Sequence, residues 1–260
     1  MSPSLRHILL DIEGTTCPVQ FVSDVLFPYA AREVSDYLSR HGHESEIQAL
    51  VAALETSWNE EEDPEAIALL QESGMAEQAE PSERDAESGK APKDRTTALL
   101  PYIHWLIRRD RKVTAWKDLQ GRIWQEGYAR GELTATLFPE VGGTLRRWKR
   151  MGLELSVYSS GSVAAQQLLY GHSEEGDLRP LFSHWFDTRI GAKQTVSSYE
   201  AILENLGCMA DEVLFISDSR AELAAAGSAG LQVIFSDREG NPERDSGGFP
   251  RIQSLEEITI

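Results

Sequence analysis

Cysteine is nearly absent from this chain of 260 residues: Cys17 and Cys208 stand far apart. That excludes a disulfide framework and a thiolate zinc site, and it suits a reducing compartment. Long apolar runs are missing too. No window approaches the roughly 18 apolar residues that a membrane helix needs. The start, MSPSLRHILLD, has an apolar run broken at Asp11, too short for the core of a signal segment. Positive charge is scarce: 25 Lys and Arg against 42 Asp and Glu leave a formal charge of −17, which repels phosphate backbones and anionic lipid. These shortages point to a soluble cytoplasmic protein that binds neither nucleic acid nor membrane, and a monomer is expected. Nothing repeats at solenoid or propeller spacing.

What is present suits an ordinary globular protein, with 41% hydrophobic and 26% charged residues and length enough for a core domain plus a smaller cap. His7-Ile8-Leu9-Leu10 is a short apolar run that ends in the turn-forming Asp11-Ile12-Glu13-Gly14-Thr15-Thr16, which reads as a buried parallel strand with polar groups at its carboxyl end. From Phe21 to Arg40 apolar residues recur at spacings of three and four, as in an amphipathic helix that Pro28 kinks or divides. Further helical patterns cover roughly residues 44–58, 64–72, 95–109 and 114–129. Residues 73–95 carry two prolines and many charges with almost nothing apolar; they cannot bury enough surface to offset the entropy of ordering, and a mobile acidic loop is expected there.

After Phe138-Pro139-Glu140 the pattern alternates: helix 141–150, strand 153–158, helix 162–170, strand 183–187, helix 195–206, strand 213–217, helix 219–228 and strand 231–235. Repeated βα units predict a parallel sheet covered on both faces. The first strand belongs with this second half. The expected fold is therefore α/β, a Rossmann-like core of residues 1–18 and 136–260, with an α-helical cap of residues 19–135 inserted after the first strand.

In an open parallel sheet, ligands bind beyond the carboxyl ends of the strands. The run HILL delivers Asp11 and Glu13 there, LELSVY delivers Ser159 and Ser160, VLFIS delivers Asp218, and Lys193 follows Ile190-Gly191-Ala192. Three carboxylates, two hydroxyls and one ammonium suit a divalent cation together with an anionic substrate. Magnesium fits such a setting, since it prefers oxygen ligands and needs only one or two carboxylates. Each residue also has a plainer role open to it. Asp11 and Gly14 could be a turn, Asp218 and Glu222 a helix start, Ser159 and Ser160 a cap for the helix near Ser162, and Lys193 a surface lysine.

Taken together these residues resemble the haloacid dehalogenase superfamily of phosphatases. Asp11-x-Glu13-Gly14-Thr15 stands for its first motif, Ser159 for its second, Lys193 for its third, and Asp218 with Glu222 for its acidic fourth. Glu13 replaces the Asp usual in that superfamily. With the strings Phe21-Val22-Ser23-Asp24-Val25-Leu26-Phe27-Pro28-Tyr29-Ala30, Tyr158-Ser159-Ser160-Gly161-Ser162 and Tyr170-Gly171-His172-Ser173, it is similar to the enolase-phosphatase subfamily of methionine salvage.

The resemblance implies a Mg2+-dependent enzyme acting on 2,3-diketo-5-methylthiopentyl-1-phosphate, which it enolises and then dephosphorylates to an acireductone. Asp11 would be the nucleophile and Glu13 the acid and base. Asp11, Asp218 and the backbone carbonyl of Glu13 would hold magnesium, and Ser159, Ser160 and Lys193 would bind substrate. A general sugar-phosphate phosphatase or phosphomutase of the same superfamily is the competing reading. The six tryptophans are expected in the cores of helices, His172 in a structural or interface role, and neither cysteine as a catalytic thiol.

Overall fold

A computed structural model describes residues 5–74 and 95–259. Contacts cluster into two compact units, Met1–Val25 with Tyr128–Ile260, and Leu26–Gly127. The first is built on a parallel sheet in the order β3-β2-β1-β4-β5-β6. Its strands are β1 (His7–Leu10), β2 (Glu154–Tyr158), β3 (His184–Phe186), β4 (Val213–Ser217), β5 (Gln232–Ser236) and β6 (Arg251–Ile252). The α/β class and the first five strands match the sequence pattern. The two-residue β6 is too short to leave a periodic signal.

β1 lies between β2 and β4, with Leu10 level with Val157 on one side and Ile216 on the other. Both neighbours are parallel, so β1 and β4 are buried along their whole length, which explains the unbroken apolar runs HILL and VLFI. The chain runs outward from β1 to β2 and β3, then crosses back to β4. That reversal of direction opens a crevice at the carboxyl ends of the central strands.

The periodic segment after Phe21, which runs from the first unit into the second, is divided as its proline demands. A π-helical turn, Phe21–Leu26, gives way to α1 (Phe27–His41) with Pro28 in its first turn, where the missing N–H costs nothing. Further helices are α2 (Ser45–Asn59), α3 (Pro64–Ser73), α4 (Arg95–Ala98), α5 (Leu100–Arg108) and α6 (Thr114–Ala129). Pro101, in the first turn of α5, accounts for the break in what the pattern presents as one helix. Trp58, Tyr102 and Trp105 stack at centroid distances of 5.0 and 5.7 Å to form this unit's aromatic core.

The acidic loop expected at 73–95 falls mostly on residues 75–94, outside the described residues. Its edges are structured, however: Ser73 ends α3, Gly74 caps it in the left-handed conformation, and Arg95 opens α4. In the first unit the remaining helices are α7 (Val141–Arg150), α8 (Val163–Gly171), α9 (Val196–Leu206) and α10 (Arg220–Ser228). Trp185 departs from the expectation for tryptophan, standing in β3 and not in a helix. Among the described residues no helix is long and apolar enough to cross a membrane.

At the amino end of β1, His7 is buried and its Nε2 lies 2.8 Å from Ser156 Oγ. Burial and the neighbouring His184 push its pKa down to about 4, with Glu154 opposing. Between pH 6.5 and 4 the unfolded chain takes up a proton that the folded chain refuses. Stability should therefore fall across that window, by on the order of 3 kcal/mol, and level off below it. Replacing His7→Gln should remove this part of the decline. In urea melts between pH 7.5 and 4, the stability advantage of the wild type over the variant should shrink as pH falls; a constant difference would refute the assignment.

Candidate active site

Asp11 continues β1, its N–H donating to Ile216 O at 3.0 Å. The carboxylate, 5% exposed, is held from both sides. Oδ1 accepts from the Ile12 N–H at 2.8 Å and lies 2.6 Å from Lys193 Nζ, while Oδ2 faces Ser217 Oγ at 3.1 Å. Lys193 is as deeply buried and also reaches Glu222 Oε2 at 2.7 Å. Burial works against its charge, but Asp11 and Glu222 outweigh it and hold the ammonium protonated above its ordinary range. A surface lysine is thereby excluded.

The loop that carries Lys193 is pinned by hydroxyls. Tyr158 OH donates to Gly191 O at 2.9 Å, Ser198 Oγ to Ala192 O at 2.8 Å, and Tyr199 OH to Lys193 O at 2.7 Å.

Asp218 follows β4 and sits against the turn after β1. Its carboxyl is pushed up to about 8, first by burial and then by the charges of Asp11, Glu222 and Glu13, with Lys193 only partly opposing. Glu222, in the first turn of α10, is raised as well, by burial and by Asp11. Four carboxyl groups thus converge near one ammonium. The cap of α10 is Ser219, whose Oγ accepts from the Glu222 N–H, so Asp218 is not the helix cap that its position allows.

Ser159 follows β2, its N–H bonded to Phe186 O at 3.2 Å and its Oγ accepting from the Gly161 N–H at 3.2 Å. The cap of α8 is Ser162 and neither Ser159 nor Ser160. By strand register Ser159 stands one residue beyond the neighbour of Asp11. Asp187, at the end of β3, instead accepts from the N–H groups of Val163 and Arg189 and braces the backbone.

The haloacid dehalogenase-like hydrolase profile matches residues 5–230. Over 251 residues the chain is 46% identical to Enolase-phosphatase E1 of Synechococcus sp. (strain RCC307), covering 96% of this chain and 92% of that protein. The Enolase-phosphatase E1 of Parasynechococcus marenigrum (strain WH8102) is 43% identical over 255 residues, 98% of each chain. The chain belongs to the enolase-phosphatase family of haloacid dehalogenase-like hydrolases. The crystal structure of UTR4 protein from Saccharomyces cerevisiae superposes on it with a TM-score of 0.73 at 27% identity, covering 98% of this chain and 100% of that one.

In this enolase-phosphatase chain one site residue, Ser217, stands out only in three dimensions, and Glu222, placed with Asp218 in the fourth motif, gains its contacts there. Ser217 reads in sequence as the end of an apolar strand, and Glu222 as an acidic first turn of a helix. Both touch the Asp11–Lys193 pair. The single clue in sequence is a serine where a fully buried strand would otherwise continue apolar. Cys17 is wholly buried, and burial raises its thiol, with Glu13 adding to the effect; a thiol so held is inert. His172 donates from Nδ1 to Leu168 O at 3.0 Å and stacks on Tyr128 at 4.9 Å.

Gly14 lets the turn and Asp218 share one place. Its φ is +68°, and a β-carbon there would overlap Asp218 Oδ2 and come within 2.8 Å of Asn241 Oδ1. Gly14→Ala should cost about 1–3 kcal/mol for the left-handed backbone and displace Asp218. Chemical denaturation should show the loss, and turnover should fall together with it. A variant of unchanged stability and turnover would show that the turn tolerates a side chain.

Proposed function

We propose that this chain converts 2,3-diketo-5-methylthiopentyl-1-phosphate to the acireductone 1,2-dihydroxy-3-keto-5-methylthiopentene and phosphate, in methionine salvage, with Asp11 attacking phosphorus. The observation that carries this reading is a buried carboxylate at the end of the central strand, 2.6 Å from a buried ammonium, in a chain 46% identical to a protein named for both activities.

Asp11 attacks the phosphoryl group, the bond from phosphorus to the substrate oxygen breaks, and Glu13 gives a proton to that departing oxygen. Water then attacks the aspartyl phosphate, Glu13 takes its proton, and the Asp11 carboxylate is restored. Lys193 has a third N–H beyond those on Asp11 and Glu222, and with Ser159 and Ser160 it binds phosphate oxygens.

The donor set suits magnesium. Asp11, Glu13, Asp218 and Glu222 outnumber Lys193, and the Asp218 carboxyl is raised by burial first and then by the negative charge around it. Magnesium takes one or two carboxylates and completes its shell with carbonyl and water. Asp11, Asp218 and the backbone carbonyl of Glu13 would hold it. Magnesium, when bound, neutralises phosphate charge and acts as a Lewis acid.

The proposal includes catalytic and cap roles for residues 1–18 with 136–260 and for 19–135, supported by two compact units with nearby limits. It extends to a monomeric cytoplasmic enzyme, in keeping with two free cysteines.

The direct test is phosphate release from the diketone phosphate with Mg2+ and with EDTA. Release should require the metal; equal release in EDTA would remove the metal from the reading. Asp11→Asn should abolish release while enol phosphate, followed by its ultraviolet absorbance, still forms. Substantial phosphate release from that variant would mean that another group attacks phosphorus.

Because the Asp218 carboxyl of the metal-free chain holds its proton up to about pH 8, binding Mg2+ must expel it. Affinity for Mg2+ should therefore rise about tenfold per pH unit from 6 to 8 and level off above. Calorimetry in two buffers of different ionisation heat should show close to one proton released at pH 7, and none if Asp218 is already ionised.

A further inference from the structure

Ser217, the last residue of β4, has no accessible surface, and the reaction outlined above gives it no task. A hydroxyl buried at the end of an apolar strand is costly unless its bonding capacity is used. Here that capacity is used entirely within the site. Oγ accepts from the Ser219 N–H at 3.1 Å and lies 3.1 Å from Asp11 Oδ2 and 2.9 Å from Glu222 Oε2. A hydroxyl carries one proton, so it serves one carboxylate at a time and stands between the two.

The other oxygen of Asp11 is held by the Ile12 N–H and Lys193. A carboxylate gripped at one oxygen can still turn about its Cβ–Cγ bond, whereas one gripped at both has its plane fixed. We propose that Ser217 is a positioning residue for phosphoryl transfer, its hydroxyl fixing the plane of the Asp11 carboxylate from the side opposite Lys193. The inference rests on the phosphatase reading of Asp11. No bond forms to Ser217; its effect is on the orientation from which Asp11 attacks, to which displacement reactions are acutely sensitive.

The two chemical steps offer a readout that mere damage to the fold would not move. Enolisation needs no attack by Asp11, whereas phosphate release does. In Ser217→Ala, kcat for phosphate release should fall roughly tenfold to a hundredfold, with KM within about threefold, as expected when an interaction made in the transition state is lost. Enol formation should fall much less, so that enol phosphate accumulates and the ratio of the two rates shifts about tenfold or more. Ser217→Thr, which restores the hydroxyl, should recover most of the lost phosphate release. Release within about twofold of the wild type in Ser217→Ala, equal loss of both steps, or a threonine variant no better than alanine would each overturn the proposal. A wild-type protein that neither enolises nor dephosphorylates the diketone phosphate would overturn the proposed function instead.

Discussion

Taking the Lys193 ammonium out of water is costly, and the fold offsets that cost with two carboxylates, Asp11 at 2.6 Å and Glu222 at 2.7 Å. Pairs of this kind contribute little net stability, but removing one member leaves a buried charge exposed to the full desolvation penalty. The three residues therefore stand or fall together, and their positions constrain the rest of the site. Tyr158, Ser198 and Tyr199 use their hydroxyls to hold the backbone of residues 191–193, so the ammonium is aimed by the core of the sheet and not by its own flexible stem.

One cation among four carboxyl groups leaves the site short of positive charge. The structure accommodates this by keeping a proton where charge would be least tolerable, on Asp218, whose carboxyl burial and the neighbouring carboxylates raise. A site so arranged favours a divalent cation and a phosphate together more than either alone, since each supplies the charge that the other lacks. That coupling is a physical reason for a strongly acidic chain to act on an anionic substrate.

The turn after β1 has its own anchors, and they come from the far end of the chain. Gly14 O accepts from Ser236 Oγ and from Asn241 Nδ2, each at 2.9 Å, and Thr15 O from Arg238. Arg238 is buried, ion-paired with Glu140 and set over the Phe138 ring at 4.3 Å. The residues that open the helical insertion and those that follow it are thus tied to one loop beyond β5. A rigid turn places Glu13 and Gly14 without drawing on the strength of the central pair.

Much of this was legible in the residues alone. Apolar runs of four or five ending in polar residues determined the strands, because a parallel strand buried on both faces has no room for alternation. The tendency of open parallel sheets to bind ligands beyond the carboxyl ends of their strands then determined that Asp11, Ser159 and Asp218 would share one edge. Periodicity of three and four marked the helices and Pro28 the first break, whereas the break at Pro101 emerged only in the structure. Tertiary structure alone decided which groups touch. Ser217 and Asp11 are 206 positions apart, and Lys193 lies on a loop whose path no periodicity describes. The plainer roles open to Lys193 and to the serines before α8 were resolved only by contact: a lysine becomes a site residue when two carboxylates face it in a place without water, and a serine becomes a cap when a particular N–H reaches its oxygen. Patterns along a chain record which faces are apolar, whereas hydrogen bonds and ion pairs depend on distances of a few ångströms between segments that meet only when the sheet is assembled.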